Sequence, residues 1–330
     1  MLKIKDLEIK NDLVIAPMAG ITNNAFVDIC FNMGAGMVIK EMVSDKAIIY
    51  NNEKTLKMID EPEVKNGIIG IQLFGHETSS MVAAAKILDQ TNYDLIDINM
   101  GCPVNKVVRQ GSGSALMLDP KHAVAMIAEI VKNVQKPVTV KMRLGYDKEH
   151  MNYLEIAKEL EAVGVSAISL HARTRGQMYE GKSDWEHIKI LKEQLSIPVI
   201  GNGDITCLQD YIDKKNYTKA DGMMIARAAV GKPYLIKEII DYQKGLKNEG
   251  VDLRSLIDLC LEHAKKLIAL KGEDVGMREF RGIGTHYLSG LPNCTPYRGR
   301  LIKISTYNEL EILLDEYYNF YQNKINIIKT

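Results

Sequence analysis

One cysteine, Cys102, lies in a loop whose composition is typical of an active site. The loop follows an apolar run and spans Asn99 to Ser114, with three glycines. Such glycine-rich loops are often mobile covers of a catalytic cleft. A thiol with its ordinary pKa of about 8.5 is protonated at neutral pH and can donate a proton, whereas a lowered pKa would make it a nucleophile. Lys106 and Arg109 add positive charge to the same loop.

Lys141 is a second candidate for chemistry because it ends a valine-rich apolar run. A buried ammonium group is costly unless it is paired or used. Three roles are open for it. It could form a Schiff base with a carbonyl substrate, pair with a carboxylate such as Glu41, or stabilise negative charge on a cofactor.

Two further loops have the composition of a phosphate site. One reads Gly201-Asn202-Gly203-Asp204 and the other contains Ala226-Arg227. Glycines let backbone N–H groups approach an anion closely, and an arginine offers a fork of donors. Together the loops predict a cofactor or substrate that carries a phosphate group.

Other apolar runs also end in residues that could line a site. They are Pro17, Met18, Ala19, Glu41, Gln72, Asn99, Arg143, His171 and Arg173. Convergence of a lysine, a histidine, arginines and amides on one place would make a ligand-binding pocket.

The elements that must bring these residues together are eight short apolar runs. The runs are Leu13–Met18, Met37–Met42, Ile68–Phe74, Leu95–Asn99, Val138–Met142, Ala167–Leu170, Pro198–Gly201 and Gly222–Ala226. Runs rich in Ile and Val that alternate with amphipathic helical stretches are typical of parallel βαβ units. Eight units predict a (β/α)8 TIM barrel, whose active site lies at the carboxyl ends of the strands. A doubly wound sheet is the alternative, but no GxGxxG motif follows the first run.

The rest of the chain reads as helical. The barrel is expected to end near Tyr242, and the polar segment 244–252 reads as a linker. Apolar stripes at helical spacing cover Leu253–Leu270 and Glu309–Ile325. We therefore expect a catalytic domain over residues 1–243 and a small all-helical domain over residues 244–330.

Composition excludes several classes of protein. The 330 residues are 46% hydrophobic and 25% charged with no net charge, which argues against a disordered chain. No apolar run is long enough for a membrane span, and the first residues lack a signal peptide. The five cysteines are widely spaced, and neither HxH nor HExxH occurs, so no disulfide framework and no metal is indicated. We expect a cytoplasmic enzyme with no membrane partner, and the sequence is compatible with a monomer. A polyanionic partner would have to be bound by local clusters of charge.

In combination, the motifs resemble the tRNA-dihydrouridine synthases, and the bacterial B-type branch most closely. The stretches that carry the resemblance are APMAGITNNAF, DINMGCPVNKVVRQGSGSALM, VKMRLGY, SLHARTRGQMYEGKSDW, PVIGNGDI and DGMMIARAAVGKPYL, in that order over nearly the whole barrel. REFRGIGTHYLSGLP is similar to the helical tRNA-binding domain of that family. The one visible departure is Ala226, where the family usually has glycine.

The resemblance implies FMN-dependent reduction of uridines in tRNA, with NADPH as the electron source and the D-loop as the target region. It also implies roles for individual residues. Cys102 would donate a proton, Lys141 would stabilise the anionic reduced flavin, and His171 would approach the flavin. The other cofactor-binding residues would be Pro17, Met18, Ala19, Gln72, Asn202, Gly203, Asp204, Ala226 and Arg227.

The resemblance also marks residues that would meet the RNA. The target uracil would be flipped out of its stack into the pocket. Asn99, Arg143 and Arg173 would line the mouth where it enters. Contacts to the RNA backbone would come from Lys106, Arg109, Arg278, Arg281, Arg298, Arg300 and Lys303.

Three other interpretations remain open at this point. A flavin barrel similar to dihydroorotate dehydrogenase would share the phosphate loops and Lys141 but act on a free small molecule. A Schiff-base aldolase would contain no flavin, and borohydride would trap its substrate on Lys141. A non-catalytic tRNA-binding protein would have no need of Cys102 and Lys141 together.

Overall fold

The computed structural model describes residues 1–60, 62, 66–247 and 250–329, without the side chains of Lys54 and residues 324–329. Two short antiparallel strands, β1 (Leu2–Ile4) and β2 (Leu7–Ile9), come first in the chain. The other eight strands are parallel and form a closed barrel. They are β3 (Leu13–Ile15), β4 (Met37–Ser44), β5 (Ile68–Phe74), β6 (Leu95–Met100), β7 (Val138–Arg143), β8 (Ala167–His171), β9 (Val199–Asn202) and β10 (Gly222–Ile225).

Helices follow the strands around the barrel. They are α1 (Asn24–Asn32), α2 (Asp45–Ile49), α3 (Glu53–Ile59), α4 (Thr78–Asp89), α5 (Asn105–Val108), α6 (Pro120–Asn133), α7 (Tyr153–Ala162), α8 (Glu186–Gln194), α9 (Leu208–Thr218) and α10 (Tyr234–Gln243). The predicted TIM barrel is therefore confirmed, with all eight apolar runs present as barrel strands.

Helix starts follow local chemistry. The side chain of Asn23 accepts a hydrogen bond from the N–H of Phe26 at the start of α1. Asp119 does the same for His122 at the start of α6, where Pro120 occupies the first turn and needs no N–H partner. These two helices therefore begin where a side chain satisfies one of their free N–H groups.

The amino-terminal hairpin was not predicted from the sequence. Leu2, Ile4 and Ile9 are buried against the barrel interior, in one cluster with residues such as Val14 and Met224. Leu2 also lies beside Gly222, the first residue of β10. The hairpin thus covers the end of the barrel where the strands begin, and this leaves the opposite end as the open mouth.

Four helices form the carboxyl-terminal region: α11 (Leu253–Lys271), α12 (Glu273–Tyr287), α13 (Thr295–Leu301) and α14 (Tyr307–Lys329). Helix α11 packs on α1, with the buried His263 ring 5.5 Å from that of Phe26. Lys266 and Asp28 form an ion pair of 3.2 Å beside this contact. The four helices confirm the helical structure predicted for this region.

The boundary between the two predicted domains stays a prediction. Residues 248, 249 and 330 of the predicted linker and helical domain lie outside the described residues.

No helix in the described ranges is both long and apolar enough to cross a membrane. Likewise, the described side chains include no group of three or more His, Cys, Asp or Glu placed to hold a metal ion.

Candidate active site

A cavity of about 650 Å³ lies at the mouth of the barrel, where the strands end. Its wall includes fifteen of the residues singled out from the sequence. They are Pro17, Met18, Ala19, Gln72, Asn99, Cys102, Lys141, Arg143, His171, Arg173, Asn202, Gly203, Asp204, Ala226 and Arg227. A parallel barrel brings these residues together because the carboxyl ends of all eight strands meet on one face.

A chain of hydrogen bonds behind the cavity fixes the loop that carries Cys102. Buried Asp97 accepts from the Thr139 hydroxyl at 2.6 Å and from Gln72 Nε2 at 2.7 Å. Gln72 Oε1 in turn accepts from Asn99 Nδ2 at 2.6 Å. The other end of this series of hydrogen bonds is Asn99 Oδ1, which accepts from the N–H groups of Gly101 and Cys102. Asn99 and Gln72 therefore set the backbone at the start of the loop, a role that their sequence positions did not suggest.

The Cys102 thiol is partly buried. Burial raises its pKa above the ordinary value, although Arg143 and Lys141 act in the opposite direction. The thiol is therefore protonated at neutral pH. Of the two roles left open by the sequence, this environment favours a proton donor over a nucleophile.

Lys141 reaches across the cavity to β9. Its Nζ donates to Asn202 Oδ1 at 3.2 Å, and Asn202 Nδ2 donates to the carbonyl of Met224. Burial, helped by the nearby Arg143, lowers the pKa of Lys141 to about 8. Among the described side chains, Lys141 forms no ion pair with Glu41, so that predicted alternative is wrong. Glu41 Oε2 accepts instead from the N–H of Gly20.

Arg143 and Arg173 are both only 2% exposed and bond protein groups. Arg143 donates to the carbonyls of Gly101, Thr174 and Met178. Arg173 donates to Asp204 Oδ2 at 2.7 Å and to the carbonyl of Gly181. Both arginines line the cavity, but most of their donor capacity goes to the surrounding loops.

His171 is surrounded by cations. Burial, together with Lys141, Arg143, Arg173 and Arg227, lowers its pKa far below the ordinary value, so the ring is neutral. Arg173 Nη1 lies 3.4 Å from His171 Nε2, and a donor there places the ring proton on Nδ1. The site holds His171 neutral amid an excess of positive charge, with Nε2 as the acceptor toward Arg173.

The two predicted phosphate loops meet beside the cavity, since β9 and β10 are neighbours. The carboxylate of Asp204 is turned toward Arg173 and the N–H of Ser183, and these hydrogen bonds outweigh burial and lower its pKa. Gly203 adopts a φ of +133°, and a Cβ there would press against Ser183. Ala226 has a negative φ of −118°, outside the left-handed region that favours glycine.

The cavity wall is strongly positive. Asp204 is the single acid among its described lining residues, and it is bound to Arg173. Lys141 and Arg227 have no carboxylate partner among the described residues, and Arg227 is exposed. A pocket of this size and charge fits an anionic, phosphate-bearing ligand.

Comparisons with known proteins agree with this geometry. The model of the dihydrouridine synthase family matches residues 14–324. The chain belongs to the dihydrouridine synthase family. It is 37% identical over 323 residues to tRNA-dihydrouridine synthase B of Pasteurella multocida, with 96% of each chain covered. It is 38% identical over 291 residues to tRNA-dihydrouridine synthase B of Klebsiella pneumoniae, covering 87% of this chain and 89% of that one.

A solved structure shares the fold at low identity. The complex of 2-naphthoyl-CoA reductase with 2-naphthoyl-CoA aligns at a TM-score of 0.58 and 14% identity, over 74% of this chain and 52% of that one. This likeness supports the barrel architecture of the family member described here.

All seven residues predicted to contact the RNA backbone lie outside the cavity wall, and Arg300 and Lys303 among them are exposed. Lys106, Arg109 and Arg278 are exposed. Arg281 donates from Nε to the carbonyl of Ile304, so it also holds the helical region together. Arg298 is half-buried, and its Nε has no partner among the described atoms. Their contacts with RNA stay predictions.

Sequence reasoning missed several cavity residues of this synthase. Tyr179 is 50% exposed, and the guanidinium of Arg227 stacks 4.3 Å from its ring centre. Lys232, His286 and Ser289 also line the cavity, the last two from the helical region. An aromatic residue in the glycine-flanked segment after β8 was a weak signal for Tyr179. No local signal could have placed α12 at the mouth, because that contact depends on how the helices pack.

Proposed function

We propose that this dihydrouridine synthase reduces the C5=C6 bond of specific uridines in tRNA, with FMN as its cofactor and NADPH as the electron source. The observation that carries the proposal is the cationic cavity with Cys102 on one wall. The Cys102 loop follows β6, which lies four strands from β10 in the eight-stranded barrel. The thiol is therefore opposite the loops suited to a phosphate.

The residues of the cavity fit a phosphorylated flavin. Arg227 and the backbone of the loops after β9 and β10 would hold its phosphate, whereas Pro17, Met18, Ala19 and Gln72 would meet its ring. Lys141, with His171 nearby, would face negative charge on the ring. When bound, FMN supplies the hydride that C6 of the uracil accepts, after taking one from NADPH.

Cys102 completes the reduction by protonating C5. The hydride makes a new C–H bond at C6, and the electron pair of the former double bond takes the thiol proton at C5. Burial keeps the thiol protonated until it is needed. Asn99 holds the backbone of Gly101 and Cys102 in place, and the thiolate regains its proton from solvent.

The helical region would contribute to RNA binding. We assign catalysis to residues 1–243 and tRNA binding to residues 244–330, with the D-loop as the target region. His286 and Ser289 support this division, because they bring the helical region to the rim of the cavity. Exposed Lys106, Arg109 and Arg278 would bind backbone phosphates.

The proposal is tested by the visible absorbance spectrum of the purified protein, followed by turnover. We expect a flavin spectrum, release of FMN on denaturation, bleaching by NADPH, and reoxidation by tRNA that lacks dihydrouridine. Fully modified tRNA is the matched control and should not reoxidise the enzyme. Mass spectrometry of the tRNA should detect a gain of two hydrogens per modified uridine. A colourless protein that does not take up FMN, or a reduced enzyme that ignores unmodified tRNA, would contradict the proposal.

A further inference from the structure

Two loops of the cavity mouth meet outside the cavity wall, and the contact involves a residue with no assigned role. Arg175, in the loop after β8, donates from Nη2 to Asn105 Oδ1 at 2.7 Å. Asn105 is the first residue of α5, in the loop that carries Cys102. The hydrogen bond therefore joins the cysteine loop to the loop after β8.

Arg175 is held firmly at its own end. Its N–H donates to the carbonyl of Gly145, and its guanidinium lies 5.1 Å from the ring centre of Tyr146. The side chain is only partly exposed, and its Nε is shielded from solvent. Because the loop after β7 also supports it, Arg175 differs from a freely moving surface arginine.

The start of the cysteine loop is fixed by a separate set of contacts. Asn99 accepts from the N–H groups of Gly101 and Cys102, and Arg143 donates to the carbonyl of Gly101. Ser114 donates from both N–H and hydroxyl to the carbonyl of Cys102. These bonds fix the backbone near the thiol, but none of them reaches α5.

The segment between Gly101 and Asn105, each of which is held by a hydrogen bond, faces the cavity. Cys102, Pro103 and Val104 all line it, and they lie between the anchor at Gly101 and the contact at Asn105. Beyond α5, Gly111 and Gly113 have positive φ values of +76° and +63°, which let the chain turn back toward the carbonyl of Cys102. Without the contact at Asn105, the outer half of the loop could move away from the mouth.

We propose that Arg175 is a positioning residue that holds the outer half of the Cys102 loop closed against the loop after β8. The bond to Asn105 keeps Cys102 partly covered and keeps Val104 on the cavity wall. The catalytic consequence rests on the proposed function, whereas the effect on the thiol does not.

Alkylation of Cys102 by iodoacetamide, followed residue by residue in the native protein, tests the proposal. The Cys207→Ser background removes the one other thiol that is not buried. Arg175→Gln and Asn105→Leu should each raise the rate of Cys102 alkylation about three- to tenfold, the range expected for loss of one partly exposed charged hydrogen bond. The double variant should match the larger single effect, because both changes remove the same bond.

Asn105→Asp is the conservative control, since a carboxylate still accepts from Arg175. It should restore slow alkylation. Arg254→Gln, which breaks ion pairs with Asp258 and Asp315 in the helical region, is the control for a general loss of surface charge. It should leave Cys102 alkylation unchanged.

A second readout separates positioning from simple structural support. In Arg175→Gln, FMN content and reduction by NADPH should stay at the wild-type level, and oxidation of the reduced enzyme by tRNA should slow about three- to tenfold. Unchanged Cys102 alkylation, additive effects in the double variant, or a parallel loss of FMN would overturn the proposal. If wild-type protein failed to modify tRNA, the proposed function would fail, yet alkylation would still decide the role of Arg175.

Discussion

Asn99 and Cys102 are joined by a hydrogen bond of 2.8 Å from the cysteine N–H to the asparagine Oδ1. The same oxygen accepts from Gly101, and the Asn99 amide is itself oriented by Gln72 and Asp97. A buried carboxylate thus acts through two amides on the backbone beside the thiol. Burial raises the pKa of Asp97, despite its bonds to Thr139 and Gln72.

This network predicts the effect of Asn99→Leu. The change leaves two backbone N–H groups without their acceptor, and each such loss costs about 1–3 kcal/mol of folding free energy. Turnover with tRNA should fall more than FMN content, because the loop and not the phosphate site is disturbed. Chemical denaturation and flavin absorbance measure the two effects. Asn133→Ala, at the last residue of α6 and outside the cavity wall, is the control and should change neither.

Cys102→Ala should separate the two halves of the reaction. The variant should bind FMN and accept electrons from NADPH, yet dihydrouridine formation should fall by about 10²- to 10⁴-fold, the usual contribution of a positioned proton donor. Cys207→Ala is the matched control because that thiol is exposed and lies outside the cavity wall. Normal product yield from Cys102→Ala would remove the cysteine from the mechanism.

Lys141 should make the cofactor-free protein less stable at neutral pH. Its pKa is lowered to about 8 in the folded protein, whereas a lysine in the unfolded chain has a pKa of about 10.4. Between these two pH values Lys141 binds more protons in the unfolded chain than in the folded protein. Its contribution to the free energy of unfolding therefore rises with pH over that range. Below pH 8 the cost reaches up to about 3 kcal/mol.

Lys141→Met should therefore raise the unfolding temperature of the cofactor-free protein at pH 7. It should also reduce the increase of that temperature with pH between about pH 8 and 10. The same variant should bind FMN more weakly, because the charge that faces the anion is gone. Wild-type affinity for FMN should also fall as pH rises above about 8. Calorimetry with and without FMN distinguishes these effects, and a destabilised apo variant would contradict the assignment.

Arg278 and Arg281 should respond differently to the same substitution. Arg278 is exposed and has no hydrogen-bond partner in the described part of the chain, so Arg278→Gln should weaken tRNA binding and reduce the slope of log affinity against log salt by about 1. Arg281 bonds the carbonyl of Ile304. Arg281→Gln should also lower the unfolding free energy, by about 1 kcal/mol. Equal loss of stability in both variants would argue against this distinction.

Gly231 allows α12 to approach the loop after β10. Its φ is +71°, and a Cβ there would overlap the backbone of His286. Gly231→Ala should cost more than about 2 kcal/mol and displace His286 from the cavity. Gly245→Ala isolates the backbone contribution, because Gly245 has a similar φ of +67° with open space around it. Equal costs for both variants would exclude a steric role for the His286 contact.

The sequence alone determined the barrel and most of its mouth. Ile- and Val-rich runs such as β5 and β7 bury both faces, and a parallel barrel must place their carboxyl ends together. Cys102, Lys141 and Arg227 could therefore be assigned to one site from their positions after separate runs. The N-terminal hairpin escaped prediction because three-residue strands carry too little periodicity.

Only the tertiary structure decided which groups bond one another within that mouth. Arg143 and Arg173 have the residue type of ligand-binding cations, yet their guanidinium groups bond loop carbonyls and Asp204. The contact of Arg175 with Asn105 and the approach of His286 to the cavity join segments far apart in the chain. Such contacts depend on distances of a few ångströms between loops that follow different strands. Residue type and spacing along the chain do not encode these distances.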